Sequence, residues 1–133
     1  MAEVGTDIQQ ASTYLKQGQL VAIPTETVYG LAGNALDVKA VSSIFETKNR
    51  PSFDPLILHV GSLEQVKPFV SSFPEKLKRL AEAFWPGPLT VLLPRNASVP
   101  DLVTSGLDRV AVRVPNHPLT LALLAQLDFP LAA

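Results

Sequence analysis

The chain has 133 residues, 47% of them hydrophobic, which is enough for one domain with a real core. A net charge of −1 and a pI of about 6.1 exclude a strongly basic surface built to coat nucleic acid, so any RNA contact would need a local patch. The lack of cysteine removes disulfides, thiolate nucleophiles and Cys-based metal sites, and no run approaches the roughly 18 apolar residues of a membrane span.

The opening residues MAEVGTDIQQ carry neither a basic nor an apolar signal region, so a cytoplasmic location is expected. Asp7 can cap a helix whose apolar positions are Ile8, Ala11, Tyr14 and Leu15, and Gly18 can end it. Leu20–Ile23 reads as a short buried strand stopped by Pro24. Thr25 to Leu31 reads as a loop, with Gly30 and Gly33 allowing tight turns. Asp37 opens a second helix through Val38, Val41, Ile44 and Phe45 that ends near Lys48.

Leu56–Val60 is the next strand. Ser62 is expected to cap a short helix with Glu64 and Gln65 in its first turn. Pro74–Phe84 is helical, with Leu77, Leu80, Ala81 and Phe84 as its apolar stripe, and Trp85-Pro86-Gly87-Pro88 breaks it as a structural corner. Leu89–Leu93 is a strand, residues 95–108 a loop or short helix, and Val110–Val114 an alternating strand. Pro118–Leu127 is an apolar helix, and Phe129–Ala133 begins another strand. The 12 prolines stand between apolar runs, so they mark rigid ends and turns and not disorder. Helices alternating with strands predict an α/β layer architecture, one sheet with flanking helices.

Several polar residues fall at informative places. Lys48 and Arg50 stand at a helix end, followed by Pro51. They either complement the helix dipole or form an anion site, because Arg offers a bidentate fork and Lys a compact charge. His59 sits near the end of an apolar strand, facing away from Leu58 and Val60, as a core or surface residue or as a ligand contact. Thr25, Glu26 and Thr27 follow a strand end, where ligands of open α/β sheets gather and where Thr also simply caps turns. Arg113 interrupts an apolar strand and shares a face with Ala111, so it lies on a solvated face or lines a polar cleft. His59 and His117 have no metal-ligand spacing, and neither a phosphate-loop glycine pattern nor a Gly-x-Ser-x-Gly elbow occurs.

Four stretches together resemble the YrdC-like family, the threonylcarbamoyl-AMP synthases: Pro24 to Leu31, Lys48 to Pro51 with Pro55 to Val60, Trp85 to Thr90, and Val112 to Pro115. The resemblance implies a single twisted mixed sheet with flanking helices, YrdC/RibB-like, over residues 1–133, around a concave and locally positive cavity. It implies that L-threonine, bicarbonate or CO2, and ATP yield threonylcarbamoyl-AMP and pyrophosphate, with Mg²⁺ accompanying ATP. Partner proteins then modify tRNA. It places Lys48, Arg50 and Asp54 at ATP, and Thr25, Thr27, His59 and Arg113 at threonine. Asp54 departs from the Asn often found there, and a carboxylate would repel phosphate unless it turns away or binds a cation. The family's Ser-x-Asn motif would follow Pro130-Leu131-Ala132-Ala133, where this sequence stops. The resemblance therefore implies a C-terminally truncated chain, inactive or weakly active by itself. The competing expectations are a non-catalytic or RNA-binding module of the same family and a carbamoyl-transfer domain like those of hydrogenase-maturation proteins. The absence of cysteine speaks against the latter.

Overall fold

The computed structural model describes residues 7–26, 29–49 and 55–133. The first helix, α1 (Ile8–Lys16), is capped by the Asp7 carboxylate, which accepts from the Gln9 and Gln10 N–H groups, and Gly18 at φ +83 carries the chain out of it. A hairpin follows: β1 (Val21–Pro24) pairs antiparallel with β2 (Tyr29–Asn34). Here the expected loop is in part a strand. Tyr-Gly-Leu-Ala-Gly-Asn is a poor strand sequence by propensity, but pairing on both sides satisfies its backbone.

Helix α2 (Val38–Lys48) is capped by Asp37, as expected, and stops at Asn49 in the left-handed conformation. Strand β3 (Ile57–His59) leads to a 3-10 segment, Leu63–Phe69. The Ser62 side chain does not cap that segment. Instead the Gln65 side chain accepts from the Gly61 N–H at 2.6 Å. Helix α3 (Glu75–Phe84) buries Ala81 and half-buries Leu77, whereas Leu80 and Phe84 of the expected stripe stay exposed. Then come β4 (Val91–Pro94), α4 (Asp101–Thr104), β5 (Arg109–Arg113), α5 (Pro118–Ala125) and β6 (Leu131–Ala132).

The six strands form one mixed sheet in the order β1-β2-β6-β3-β5-β4. Only β3 and β5 run parallel, and every other neighbouring pair is antiparallel. One core packs Val41, Ile44 and Phe45 of α2 against Leu58, Val112, Val91 and Leu93. A second core, with α1 and α5, holds Leu15, Ile23, Ala32, Leu123, Leu124 and Leu131. By register, His59 and Arg113 project from the same sheet face as Leu131. On that face α1 and α5 cover the β1-β2-β6 part. Ile57 and Ala111 stay half-buried, and Leu92 is 58% exposed. Among the described residues no helix is long and apolar enough to cross a membrane.

Candidate amino-acid site

His59 and Arg113 come together because β3 and β5 are parallel and in register, His59 opposite Arg113, at the last residue of each strand. Parallel strands are about 4.8 Å apart, so the two side chains rise side by side from the sheet. Both are buried, at 5% and 9% exposure. A buried guanidinium must be paired, and this one is. Its Nε donates to the Gly87 carbonyl at 3.1 Å, and Nη2 donates to the Glu26 carboxylate. The other Glu26 oxygen accepts from the Asn116 N–H at 2.9 Å. Arg113 is therefore buried and paired and does not lie on a solvated face, and Trp85-Pro86-Gly87-Pro88 is more than a corner, because its Gly87 carbonyl holds the arginine.

Gly87 is required there. A Cβ on it would lie 2.4 Å from the Phe84 carbonyl oxygen. The corner is fixed further by the Trp85 Nε1–H bond to the Leu89 carbonyl at 2.8 Å and by the edge-on contact of Trp85 with Phe73.

His59 is held as a neutral imidazole. Burial pushes its pKa down to about 4, and Arg113 and Lys48 push the same way against the Ile57 carbonyl and Glu26. Its Nδ1 lies 3.1 Å from the Ile57 carbonyl, which can only accept, so Nδ1 carries the proton. The lone pair therefore sits on Nε2, which can receive an N–H or O–H from a ligand. Lys48, the last residue of α2, is close enough to add to the potential at His59.

Thr25 is half-buried beside Glu26. Glu26 is the residue the candidate set lacks. Its partner lies 87 positions away, which no local pattern reveals. The signals available are its place after a strand end and the need of Arg113 for an anion. The strand-end reading names Thr25, Glu26 and Thr27 together; the strand end turns into an antiparallel hairpin, and from it Glu26 reaches Arg113. The hairpin reaches the cleft through the bonds of Glu26 and through the Thr120 hydroxyl, which donates to the Pro24 carbonyl. Thr27, Arg50 and Asp54 lie outside the described residues.

A separate surface hollow of about 560 Å³ surrounds Arg95. Its guanidinium is committed to Leu107 and Val99 carbonyls and to Asp101, so it serves the loop. Among the described residues no group of three or more His, Asp or Glu side chains gathers in metal-binding geometry.

The fold and these side chains together define a mixed α/β domain with a buried arginine and a neutral histidine side by side at parallel strand ends. The Sua5/YciO/YrdC family model, described as telomere recombination, matches residues 13–133, and the chain belongs to that family. It is 50% identical over 126 residues to a threonylcarbamoyl-AMP synthase of Pyrococcus abyssi, and 46% identical over 127 residues to one of Bacillus subtilis. These matches cover 95% of this chain but only 37% of each of those proteins. The structure of P. abyssi Sua5 complexed with L-threonine superposes with a TM-score of 0.93 at 47% identity, over 99% of this chain and 39% of that one. Full-length HypF in its phosphate- and nucleotide-bound form superposes at 0.82 and 28% identity, over 94% of this chain and 19% of that one.

Proposed function

We infer that this chain carries the threonine-binding part of an L-threonylcarbamoyladenylate synthase. The observation that carries the reading is the buried Arg113 beside neutral His59, on a fold shared with a relative whose structure contains L-threonine. Arg113 binds the threonine carboxylate by its fork, and His59 Nε2 accepts a hydrogen bond from the ammonium or hydroxyl group. Thr25 and Thr27 are assigned to threonine on the family resemblance. Lys48, Arg50 and Asp54 are assigned to ATP on the family resemblance.

In the proposed reaction the threonine ammonium releases a proton to water, and the amine then adds to CO2 and releases a second proton to water, giving a carbamate. With bicarbonate the same bond forms and water leaves. A carbamate oxygen then attacks the α-phosphorus of ATP, and pyrophosphate departs. Charge grows on phosphate oxygens, which Lys48 and Arg50 stabilise without a covalent nucleophile. Mg²⁺ would enter with ATP as the counter-ion of its phosphates. The product would pass to tRNA-modifying partner proteins, in the cytoplasm.

Titration calorimetry of the 133-residue chain tests the reading. L-Threonine should bind, and Arg113→Lys and His59→Ala should each weaken it at least tenfold. A folded chain that binds no threonine overturns the reading. RNA binding with a steep salt dependence would favour the non-catalytic module instead.

A further inference from the structure

Glu26 lies in the turn of the β1–β2 hairpin, yet its carboxylate spans the cleft to two places in the chain beyond β4. One oxygen takes Arg113 Nη2 and the other the Asn116 N–H, just before the cap of α5. Arginine has five N–H donors in a planar fork. The Nε and Nη2 edge is filled by Gly87 and Glu26. Among the described residues the opposite edge, Nη1 with the second Nη2 hydrogen, makes no hydrogen bond, although Arg113 is only 9% exposed. A buried guanidinium with one edge clamped and the other open is an arrangement for a planar anion such as a carboxylate.

We propose that Glu26 is a positioning residue of the amino-acid site, which clamps Arg113 with its open edge toward the ligand and cancels its charge, so that the site takes an amino-acid zwitterion in preference to a bare carboxylate. The charge argument is direct. Pairing with Glu26 neutralises Arg113 and leaves Lys48 as the remaining cation near His59, so a monoanion gains less from the site than it would from an unpaired fork. A zwitterion adds no net charge, and its ammonium can donate to the His59 lone pair. Without Glu26 the cationic fork would attract any carboxylate and would be free to turn. Glu26 touches the reacting molecule through its neighbour, so its role is distinct from that of Arg113. The threonine arm of this inference rests on the function proposed above.

The experiment uses the ¹⁵N-labelled 133-residue chain and its Glu26→Gln variant, with L-threonine and 3-hydroxybutyrate, which is threonine without its amino group. The variant should keep a cooperative thermal transition. Its threonine Kd should rise about tenfold, and its preference for threonine over 3-hydroxybutyrate should fall at least tenfold. Exchange of the Arg113 Nε–H with water should speed up at least tenfold, which loss of an exposed charge would not cause. If Glu26→Gln fails to fold, Glu26→Asp, which keeps the charge but loses reach, should show the faster exchange and weaker binding with the preference retained. Unchanged Nε–H exchange together with unchanged affinity and preference overturns the proposal. If the wild type binds neither compound, the threonine reading fails, and the Nε–H exchange alone decides the role of Glu26.

Discussion

His59 couples the site to stability through its proton. Its folded pKa of about 4 lies below the ordinary value of 6.5, so between those values the unfolded chain binds the proton and the folded one does not. Stability from this residue is complete above pH 6.5 and is lost as pH falls toward 4. The full loss is about 3 kcal/mol, since each pKa unit corresponds to about 1.4 kcal/mol. Urea unfolding at pH 7.5 and at pH 4.5 should show the decline, and His59→Gln should remove most of the difference relative to wild type. An equal decline in the variant would assign the pH dependence to other groups. Arg113 makes a second test at this scale. Lysine keeps its charge but cannot serve Gly87 and Glu26 from one planar fork. Arg113→Lys is expected to cost about 1–3 kcal/mol of stability through the partners left buried, measurable by denaturant midpoint.

At the level of elements, the corner after α3 and the hairpin turn matter more than their local sequences suggest. A methyl group on Gly87 must displace the Phe84 carbonyl, which is backbone and has little room to move. Gly87→Ala should therefore destabilise by about 2 kcal/mol, within the usual range of overpacking, and should weaken threonine binding through the shifted Gly87 carbonyl. A denaturation curve like that of wild type would show that the corner tolerates the methyl group. The helices were legible because their caps and stops are local: Asp7 and Asp37 accept from the next N–H groups, and Gly18 ends α1. The apolar runs of β3, β4 and β5 were legible for the same reason. Strand β2 was not, because two glycines disguise it and its order comes from β1 and β6 on either side. The exposure of Leu80 and Phe84 was hidden too, since the apolar spacing of a helix does not say what lies against it. Of the site, His59 and Arg113 were visible as polar residues in apolar strands. Their adjacency depends on the parallel register of β3 and β5, and the Glu26 clamp on a contact across 87 positions, neither of which is a local property.

Across the whole molecule, the last strand in sequence is not last in space. β6 lies between β2 and β3, joining the hairpin and its α1/α5 core to the β3-β5-β4 half. Ala132 pairs with Gly33 on one side and Leu58 on the other, while Ala133 exchanges backbone hydrogen bonds with Ile57 at 3.0 and 3.1 Å. Leu131 is fully buried and stands opposite His59. β6 therefore joins the two halves of the sheet, and its Leu131 side chain belongs to the core beneath the site. Leu131→Ala should cost about 3 kcal/mol, as a fully buried leucine does when the cavity cannot collapse. It should also admit water beside His59 and so raise its depressed pKa, since burial is the main cause of the depression. Histidine titration by NMR in the variant should show a midpoint displaced from about 4 toward 6.5. A substitution that lowers stability by that amount while leaving the His59 midpoint in place would separate the core of the α1/α5 half from the site, and would contradict the coupling that the position of β6 requires.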